Sequence, residues 1–405
     1  MVRSKQGNID FLRQQYDKVK SLKSKRKVAK GILRMPNFNA KQIEQLLGET
    51  ELATKAGIAM CEKSRGIDFP RKGNNAYNLN REEALEVARF MGYKPMREIR
   101  PDNYEMPVLA VHDAKGGIGK STTCETLSIQ GTFDIKRAPR ILLADTDSQG
   151  SQRHKLAPNY TTPKHSLFAL LKDEVEVPRD VRLSPQKQAA YRAALKEIIV
   201  STYAEDIDLL PSFPECKNIN VFFSGALARG VGIEQVISVY KDVVISPLKH
   251  DYDVVILDTN PATDMTLYCL YYAATSLIIP VTGRQQDINA YVEYLDSAAF
   301  IIETMMPHDW AGFTDIYTLI TKNTKTNSGI FNRALQMIQL TRAFTTTIFE
   351  AKAYETASEN NLPIQLIDHG SRNPASALES IRSLYNELAV SMYADIDKLY
   401  DEVED

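Results

Sequence analysis

The stretch that most constrains this chain is residues 114–122, which read Ala-Lys-Gly-Gly-Ile-Gly-Lys-Ser-Thr. It ends in Gly-Lys-Ser, as phosphate-binding loops do. Glycines let the backbone turn tightly and direct successive N–H groups at phosphate oxygens. A short apolar, β-rich run (107–111) precedes the loop, and residues 122–131 read as a helix whose N-terminus would face the same phosphates. The spacing therefore predicts a strand, a phosphate-binding loop and a helix, in that order.

The loop carries two lysines, and each needs a role. Lys120 is expected to contact the β- and γ-phosphates of a nucleotide, and the Ser121 hydroxyl is expected to ligate Mg²⁺. The ordinary pattern begins with a glycine, where this chain has Ala114. Lys115, the next residue, is a second cation that the ordinary pattern does not require. The predicted nucleotide-binding residues are Lys115, Gly116, Gly117, Ile118, Gly119, Lys120, Ser121 and Thr122.

Two apolar segments further along the chain end in aspartates. Residues 140–151 read Arg-Ile-Leu-Leu-Ala-Asp-Thr-Asp-Ser-Gln-Gly-Ser and contain Asp145 and Asp147. Residues two apart on an extended chain point the same way, so both carboxylates can face the phosphate end of a sheet. Residues 252–261 form a second such segment and contain Asp258.

Taken together, these motifs resemble those of the deviant Walker A ATPases, the ParA/MinD/nitrogenase-iron-protein superfamily. The resemblance implies that Lys115 reaches across a nucleotide-sandwich dimer to the phosphates of the partner subunit. It also implies that Asp147 orients and activates the attacking water, while Asp145 and Asp258 support Mg²⁺. Lys115, Lys120 and Asp147 are thus the expected catalytic residues, with ATP and Mg²⁺ as cofactors.

The chain departs from the motifs of this superfamily at two positions. Ser148 replaces the proline of the D-x-D-P-Q-G segment, and Asn260 replaces the first proline of the D-T-P-P segment. The adenine-binding residues are not identified by any motif. Asn323, which follows a predicted strand, is the candidate for that contact.

From residue 107 onward, predicted strands alternate with helices. This alternation predicts an α/β fold of the P-loop NTPase type, in which a mostly parallel sheet is flanked by helices and binds ligands at the carboxyl ends of its strands. We expect this ATPase domain to span residues 107–405, with a helical insert at 153–205 and a C-terminal helix at 371–403. The predicted strands are Val108–His112, Ile141–Asp145, Ile207–Pro211, Val254–Asp258, Ser276–Val281 and Ile316–Thr321.

Three segments precede this domain. Residues 1–35 are basic, with eleven Lys or Arg against two Asp up to Arg34, and predict a helix that serves as a dimerising or DNA-binding arm. Residues 36–95 read as helix, turn, helix, basic hairpin and helix, and residues 96–106 read as a linker. The middle layout resembles a winged helix–turn–helix of the MerR type and the operator-binding domain of large ParA proteins. A packing module with solvated charges is the alternative. The candidate DNA contacts are Thr54, Lys55, Arg71 and Lys72.

The cysteines, the apolar runs and the charge of the C-terminal residues indicate which group of the superfamily this chain resembles most. The four cysteines are far apart, which argues against a shared cluster as in iron-protein relatives and for a reducing cytoplasm. No apolar run reaches the ~20 residues of a membrane span, and the acidic finish, Asp401 to Asp405, disfavours a MinD-like lipid-binding helix. Of the three groups, the ParA proteins therefore fit this chain best.

ParA proteins hold non-specific DNA through a C-terminal segment, and the resemblance implies such a surface here. Its candidate residues are Lys322, Lys325, Arg333, Arg342 and Lys352.

The sequence therefore predicts a cytoplasmic, nucleoid-associated bacterial ATPase that partitions plasmid or chromosomal DNA. The expected partners are a second copy of the chain, with further assembly on DNA left open, double-stranded DNA bound both non-specifically and at an operator, and a ParB-like protein that accelerates hydrolysis. No membrane partner is expected. Two alternatives remain, namely a transcriptional repressor that only senses nucleotide and a membrane-positioning ATPase.

Overall fold

The computed structural model describes residues 37–160, 166–308, 310–323, 343–367 and 374–401, together with Gln14. The basic arm at 1–35 falls outside the described residues except for Gln14. A seven-stranded sheet forms the centre of the described part, in the order β3-β4-β2-β5-β1-β6-β7. Its strands are β1 (Val108–Val111), β2 (Ile141–Asp145), β3 (Val200–Ser201), β4 (Ile207–Leu210), β5 (Val254–Asp258), β6 (Ser276–Thr282) and β7 (Asp315–Thr321).

Six of the seven strands are parallel, and the mostly parallel sheet flanked by helices that the sequence predicts is confirmed. The strands are continuous apolar runs because helices cover both faces of the sheet. The short edge strand β3, which pairs antiparallel with β4, has no counterpart in the sequence prediction. A two-residue edge strand has too little hydrophobic pattern to be recognised.

Helices account for most of the remaining described residues. They are α1 (Ala40–Leu47), α2 (Glu51–Arg65), α3 (Arg81–Phe90), α4 (Met96–Ile99), α5 (Lys120–Thr132), α6 (Ser151–Leu156), α7 (Leu167–Glu174), α8 (Arg179–Arg182), α9 (Pro185–Ile198), α10 (Ile219–Ala228), α11 (Ile233–Ile237), α12 (Ser246–Leu248), α13 (Met265–Ala273), α14 (Gln285–Met305), α15 (Lys352–Asn360), α16 (Ala375–Met392) and α17 (Ala394–Asp401). Two 3₁₀ turns, Pro214–Asn218 and Ile364–Leu366, and one π turn, Lys241–Ile245, complete the set. No helix among these is long and apolar enough to cross a membrane.

The hydrophobic core has two layers, one on each face of the sheet. One layer packs α13, α14 and the insert helices against the sheet, and Phe223 and Tyr271 are its largest fully buried side chains. The other layer packs α5 and α16 against the opposite face, with Leu127 and Tyr393 in its centre. The sheet therefore holds the ends of its strands rigidly, which is what a ligand site at those ends requires.

The N-terminal unit has a core of its own, built from α1, α2 and α3. Asn39 caps α1 in a capping box, and Gly48 ends the helix in the left-handed region at φ 77°. The segment between α2 and α3 pairs Arg71 with Tyr77 in an isolated bridge. The three helices and the intervening hairpin occur where the sequence predicts them, since caps and glycine stops are local signals.

The predicted linker at 96–106 is a packed segment that includes a helical turn, which corrects the sequence interpretation. Met96 is fully buried, and its N–H donates to the Arg137 carbonyl at 2.8 Å. The Arg100 guanidinium binds the Asp253 carboxylate at 2.7 Å, at the amino end of β5. Pro101 within it and Pro95 and Pro107 on either side suggested an open connection, but these distant partners hold the segment against the sheet domain.

Arg81, the first residue of α3, fastens the N-terminal unit to the sheet domain. Its guanidinium is 5% exposed and donates to the Thr132 carbonyl at 2.7 Å, at the end of α5. It also binds Asp206 at 2.6 Å and Glu205 at 3.2 Å, in the turn before β4. A buried cation with three partners of this kind fixes the orientation of the helix that carries it.

The C-terminal helix predicted at 371–403 is two helices, α16 and α17, in the described residues. Tyr393, between them, leaves the helical region with φ −115° and ψ 18° and is fully buried. The break turns α17 so that Asp397 forms a bidentate ion pair with Arg137, at 2.7 and 2.8 Å. An amphipathic pattern alone cannot reveal a break that one buried tyrosine and one distant arginine impose.

We predict that Arg81→Met lowers the free energy of unfolding by about 2 kcal/mol, because it leaves the carbonyl of the buried Thr132 without its donor and removes the cation that pairs with the partly exposed Asp206 and Glu205. The matched control is Arg97→Met, since Arg97 contacts the same Asp206 at 3.7 Å but is 38% exposed. The control is expected to lower stability by less than about 1 kcal/mol. Urea unfolding followed by circular dichroism measures both, and equal losses in the two variants would contradict the role given to Arg81.

Candidate nucleotide site

The predicted phosphate-binding loop follows β1, which lies between β5 and β6 near the middle of the sheet. Gly117 and Gly119 adopt φ values of 77° and 104°. This left-handed region favours glycine, so the two positions explain why the loop needs glycine there. Helix α5 starts directly after the loop at Lys120 and directs its N-terminus into the turn.

Lys120 is buried and turned back onto its own loop. Its ammonium donates to the Asp113 carbonyl at 2.9 Å and to the Lys115 carbonyl at 2.8 Å. Burial lowers the pKa of this lysine, although Asp113 and Asp258 oppose the shift. Both bonds go to neutral backbone carbonyls, so an anion placed in the loop would be a better partner for this cation.

Asp145 and Asp258 lie side by side at the carboxyl ends of β2 and β5, where they are register partners. Both are fully buried. Burial raises the pKa of Asp145 well above its usual range, and the neighbouring Asp258 adds to that shift. Burial also raises the pKa of Asp258, to about 6. Two buried carboxyl groups at this spacing favour the arrival of a cation.

Ser121 and Gln152 supply hydrogen bonds to this acidic pair. The Ser121 hydroxyl donates to Asp258 Oδ1 at 3.1 Å. Gln152 Nε2 donates to Asp258 Oδ2 at 2.7 Å, and the Gln152 backbone N–H donates to Asp145 Oδ2 at 3.1 Å. The structure thus brings Ser121, Asp145 and Asp258 together, and their role at a metal ion stays a prediction. Gln152 was missed, because no motif distinguishes it from a solvated glutamine of a short helix.

Asp147 stands at the rim of the same edge. Its backbone N–H donates to Asp145 Oδ1 at 3.1 Å, and its own Oδ1 accepts from the Gln149 N–H at 2.9 Å. Thr146 fixes the intervening turn through two bonds to the Asp258 carbonyl, at 2.8 and 2.9 Å. Asp147 is half-buried, whereas Asp145 and Asp258 are fully buried, so it is the acid of the three that solvent can reach.

The Lys115 side chain, unlike that of Lys120, is directed away from its own loop. Its ammonium pairs with the Asp287 carboxylate at the start of α14, and Asp287 also accepts from the Thr282 hydroxyl. Burial alone would raise the pKa of Asp287, but the bonds from Lys115 and Thr282 leave that pKa below its usual value. The Lys115 side chain remains 40% exposed. It therefore lies at the mouth of the loop rather than inside it.

The end of β7 closes the other side of the loop. The Thr321 hydroxyl donates to the Ile118 carbonyl at 2.6 Å, and Lys322, in the left-handed region at φ 50°, donates to the Gly117 carbonyl at 2.5 Å. Lys322 is exposed, and the DNA contact expected of it stays a prediction. Asn323 is buried beside it, and its Oδ1 has no hydrogen-bond partner among the described residues. The adenine contact expected of Asn323 stays a prediction.

The donor set at this edge suits Mg²⁺. Mg²⁺ prefers oxygen ligands and is usually held by a few side chains together with substrate phosphates. Ser121, Asp145 and Asp258 offer hydroxyl and carboxylate oxygens, and Gln152 Oε1 is buried without a partner among the described residues. No group of three or more His, Cys, Asp or Glu that could hold a metal alone occurs in the described part of the chain. A Mg²⁺ ion held partly by these side chains and partly by nucleotide phosphates would fit both the oxygen ligands that are present and the lack of a complete protein cluster.

His112 lies under the loop, fully buried between the rings of Tyr271 and Tyr294. The Thr259 hydroxyl donates to the Val111 carbonyl at 2.8 Å, so it accepts from His112 Nδ1 at 2.7 Å. Burial, with a smaller contribution from the charge of Lys120, lowers the pKa of His112 to about 3. A neutral imidazole thus joins the ends of β1 and β5 beneath the loop.

The residues proposed for DNA contact have different surroundings. Thr54 is fully buried in the core of the N-terminal unit, which corrects its assignment, because a side chain without exposed surface cannot touch DNA. Lys55 is exposed and paired with Glu51, and Arg71 binds the Tyr77 hydroxyl at 2.8 Å. Lys72 and Lys352 are exposed. The remaining candidates, Lys325, Arg333 and Arg342, lie outside the described residues.

Comparisons with known proteins agree with this geometry. A family model described as an AAA domain matches residues 106–306, the region that contains the loop and both acidic motifs. The sporulation initiation inhibitor protein Soj of Bacillus subtilis is 22% identical over 63% of this chain and 85% of its own length. Plasmid partition protein A of Escherichia coli is 22% identical over 62% of this chain and 61% of its own length. The chain thus spans less than two thirds of this second relative.

A solved structure described as a partition protein covers almost the whole chain. Its TM-score is 0.64 at 14% identity, and the match covers 95% of this chain and 98% of the other. At this identity the likeness concerns the fold alone.

We predict that His112→Asn makes the protein less sensitive to acid. The folded pKa of His112 lies below its ordinary value of about 6.5, so the neutral imidazole contributes stability above that pH and loses it as the pH falls towards 3. Asparagine can keep the bond to Thr259 and has no proton to gain. Between about pH 7.5 and pH 4.5 the variant should lose about 2 kcal/mol less unfolding free energy than the unchanged protein.

Urea unfolding at several pH values measures this difference. His250→Asn is the control, because His250 is exposed and its contacts within the described residues are made by its backbone carbonyl, which accepts from Arg100 at 2.6 Å and from Arg140 at 3.1 Å. The same acid slope in His112→Asn as in the unchanged protein would contradict the prediction.

Proposed function

We propose that the chain is a ParA-type partition ATPase, which hydrolyses ATP as a dimer and binds DNA only in its ATP-bound state. Two subunits would enclose two nucleotides between their loops. The dimer would hold DNA without regard to sequence, and hydrolysis would release it. This cycle would segregate plasmid or chromosomal DNA in the bacterial cytoplasm, on the nucleoid.

The observation that carries this proposal is the different placement of the two loop lysines. Lys120 is buried and already serves the loop of its own subunit, whereas Lys115 lies at the mouth with 40% of its side chain exposed. Within its own subunit the Lys115 ammonium pairs with Asp287 at the mouth of the loop. It is well placed to reach phosphates in a facing subunit once it leaves Asp287.

The chemistry requires in-line attack of water on the γ-phosphate, and positioning and charge do most of the work. Asp147 would orient the water, because it is the acid of the three that solvent reaches. Lys120 and the partner subunit's Lys115 would stabilise the charge on the transferring phosphoryl group. Bound Mg²⁺, held through Ser121 with Asp258 and Asp145 nearby, would neutralise charge on the phosphate oxygens.

The N-terminal unit would add a second DNA contact. Its predicted helix–turn–helix layout is one that reads operators, and Lys55, Arg71 and Lys72 are exposed on it. We propose that this unit represses the operon of the protein in the nucleotide-free or ADP-bound state. Lys352, exposed at the start of α15, would contribute to the non-specific surface. A ParB-like protein would accelerate the slow intrinsic hydrolysis.

The decisive experiment measures affinity for random-sequence duplex DNA with no nucleotide, with ADP, with ATP and with a non-hydrolysable ATP analogue. The analogue should raise affinity at least about tenfold over ADP, and affinity should fall steeply with salt because phosphate contacts release counterions. Equal affinity in all four states would sink the proposal. Strong co-sedimentation with anionic liposomes would instead support a membrane-positioning ATPase.

Substitutions of the two lysines give a second test. We predict that Lys115→Ala lowers the maximal rate of ATP hydrolysis at least about 100-fold but leaves ATP affinity of the monomer within about threefold. Lys120→Ala should damage both, because Lys120 contacts the phosphates of its own subunit. Lys196→Ala, an exposed lysine at the amino end of the sheet, is the control. Fluorescent-nucleotide titration and phosphate release measure the two quantities, and parallel losses in Lys115→Ala would contradict dimer-dependent catalysis.

A further inference from the structure

Gln152 occupies a central position that the expected roles of the motifs do not explain. It is fully buried in α6, a six-residue helix that follows the Asp145–Asp147 turn. Its side-chain amide donates to the Asp258 carboxylate at 2.7 Å and to the Ser121 carbonyl at 2.8 Å. Its backbone N–H donates to the Asp145 carboxylate at 3.1 Å. One residue thus touches all three acidic and phosphate-binding segments.

The orientation of the Gln152 amide follows from its partners. A carboxylate and a backbone carbonyl both accept hydrogen bonds, so the nitrogen of the amide has to face them. The amide oxygen is consequently turned away from both. This Oε1 atom is buried and accepts no hydrogen bond from the described residues. A buried acceptor in this state is normally satisfied by a donor from elsewhere.

We propose that Gln152 is a positioning residue for Mg²⁺ binding, which holds the Asp258 carboxylate in place and presents its own amide oxygen to a donor that arrives with Mg²⁺ and nucleotide. This assignment rests on the proposed Mg²⁺-dependent ATPase and deepens it. Gln152 acts through Asp258 and Ser121 and is not itself a catalytic residue.

The geometry explains why one amide can do this. Asp258 offers two oxygens, of which Oδ1 accepts from the Ser121 hydroxyl and Oδ2 accepts from Gln152. If the hydroxyl turned to a metal ion, the bond from Gln152 would be the one of these two that still fixes the carboxylate. Its second bond, to the Ser121 carbonyl, keeps the start of α5 at a constant distance from the end of β5.

Partners that hold metal-binding side chains typically change metal affinity or activity by about 10- to 100-fold when they are removed. The effect expected for Gln152 is therefore specific. It concerns the gain in nucleotide affinity that Mg²⁺ brings, and not nucleotide affinity in the absence of Mg²⁺. A role in packing alone would change both affinities together or change only stability.

The experiment compares Gln152→Met with Gln365→Met. Methionine is unbranched and close to glutamine in size, so it removes the amide with little change in volume. Gln365 is a matched control, because its Nε2 donates to the Thr126 carbonyl of the same helix α5 at 2.8 Å and its Oε1 likewise has no partner among the described residues. It lies more than one turn further along that helix. Both variants lose one amide bonded to α5.

The quantity measured is the ratio of the dissociation constants for a non-hydrolysable ATP analogue in EDTA and in Mg²⁺, by calorimetric titration of the full chain. Gln152→Met should lower this ratio at least about tenfold and change the affinity in EDTA by less than about threefold. Gln365→Met should keep the ratio of the unchanged protein. Melting temperatures of both variants report whether each is folded.

Gln152→Asn is the second variant, since a shorter amide keeps the polarity but cannot span both Ser121 and Asp258. It should lower the ratio in the same way, and it decides the matter if Gln152→Met does not fold. An unchanged ratio in a folded Gln152 variant, or an equal loss of affinity with and without Mg²⁺, would overturn the assignment and leave the ATPase proposal intact. If the unchanged protein itself gains no affinity from Mg²⁺, the proposed function fails and this assignment fails with it.

Discussion

Two carboxyl groups, Asp145 and Asp258, lie buried side by side at the ends of adjacent parallel strands, and the rest of the site is arranged around them. Burial raises the pKa of both, so two ionised side chains at this point oppose the folded state unless something compensates. Ser121 and Gln152 donate hydrogen bonds that compensate in part. A divalent cation would compensate further, which links metal binding to this buried acidic pair.

The parts of the fold and of the site that the sequence predicted are those with a pattern confined to a short stretch of the chain. The strands, α5 and the helices of the N-terminal unit follow from caps, glycines and apolar runs within a dozen residues. Lys115, Lys120, Asp147 and Asp258 followed from motifs. Thr54 was misassigned, because a threonine early in a helix is as readily a core residue as a surface one, and only the packing of three helices decides between them.

The contacts that the sequence did not predict join distant residues. Lys322 reaches Gly117 across 205 residues, and Lys115 reaches Asp287 across 172. Arg81 reaches Asp206 across 125. Nothing in a local pattern distinguishes these cations from solvated ones. The prediction of an open linker at 96–106 was wrong for the same reason. Prolines are equally compatible with an open connection and with a turn held in place by buried residues such as Met96.

Helix α5 connects the nucleotide loop to both terminal parts of the chain. Its thirteen residues span about 20 Å, with the loop at one end and residues 132–138 at the other. At that far end, Thr132 accepts from Arg81 of the N-terminal unit. Arg137 pairs there with Asp397 of α17. A rigid helix bonded at both ends transmits displacement rather than absorbing it, so a change at the phosphates would reach the N-terminal unit and the C-terminal helices through the same element.

In the proposed dimer, the contact between Lys115 and Asp287 would have to break before Lys115 reaches the facing subunit. Asp287 is 6% exposed, so removing its cation leaves a buried carboxylate with the Thr282 hydroxyl as its remaining side-chain donor. That loss opposes the transfer of Lys115 to a facing subunit. The triphosphate of a partner subunit carries more negative charge than one carboxylate and can offset the loss, whereas a diphosphate offers less. Discrimination between ATP and ADP would then arise in part within each subunit, from the competition of Asp287 with phosphate for one lysine.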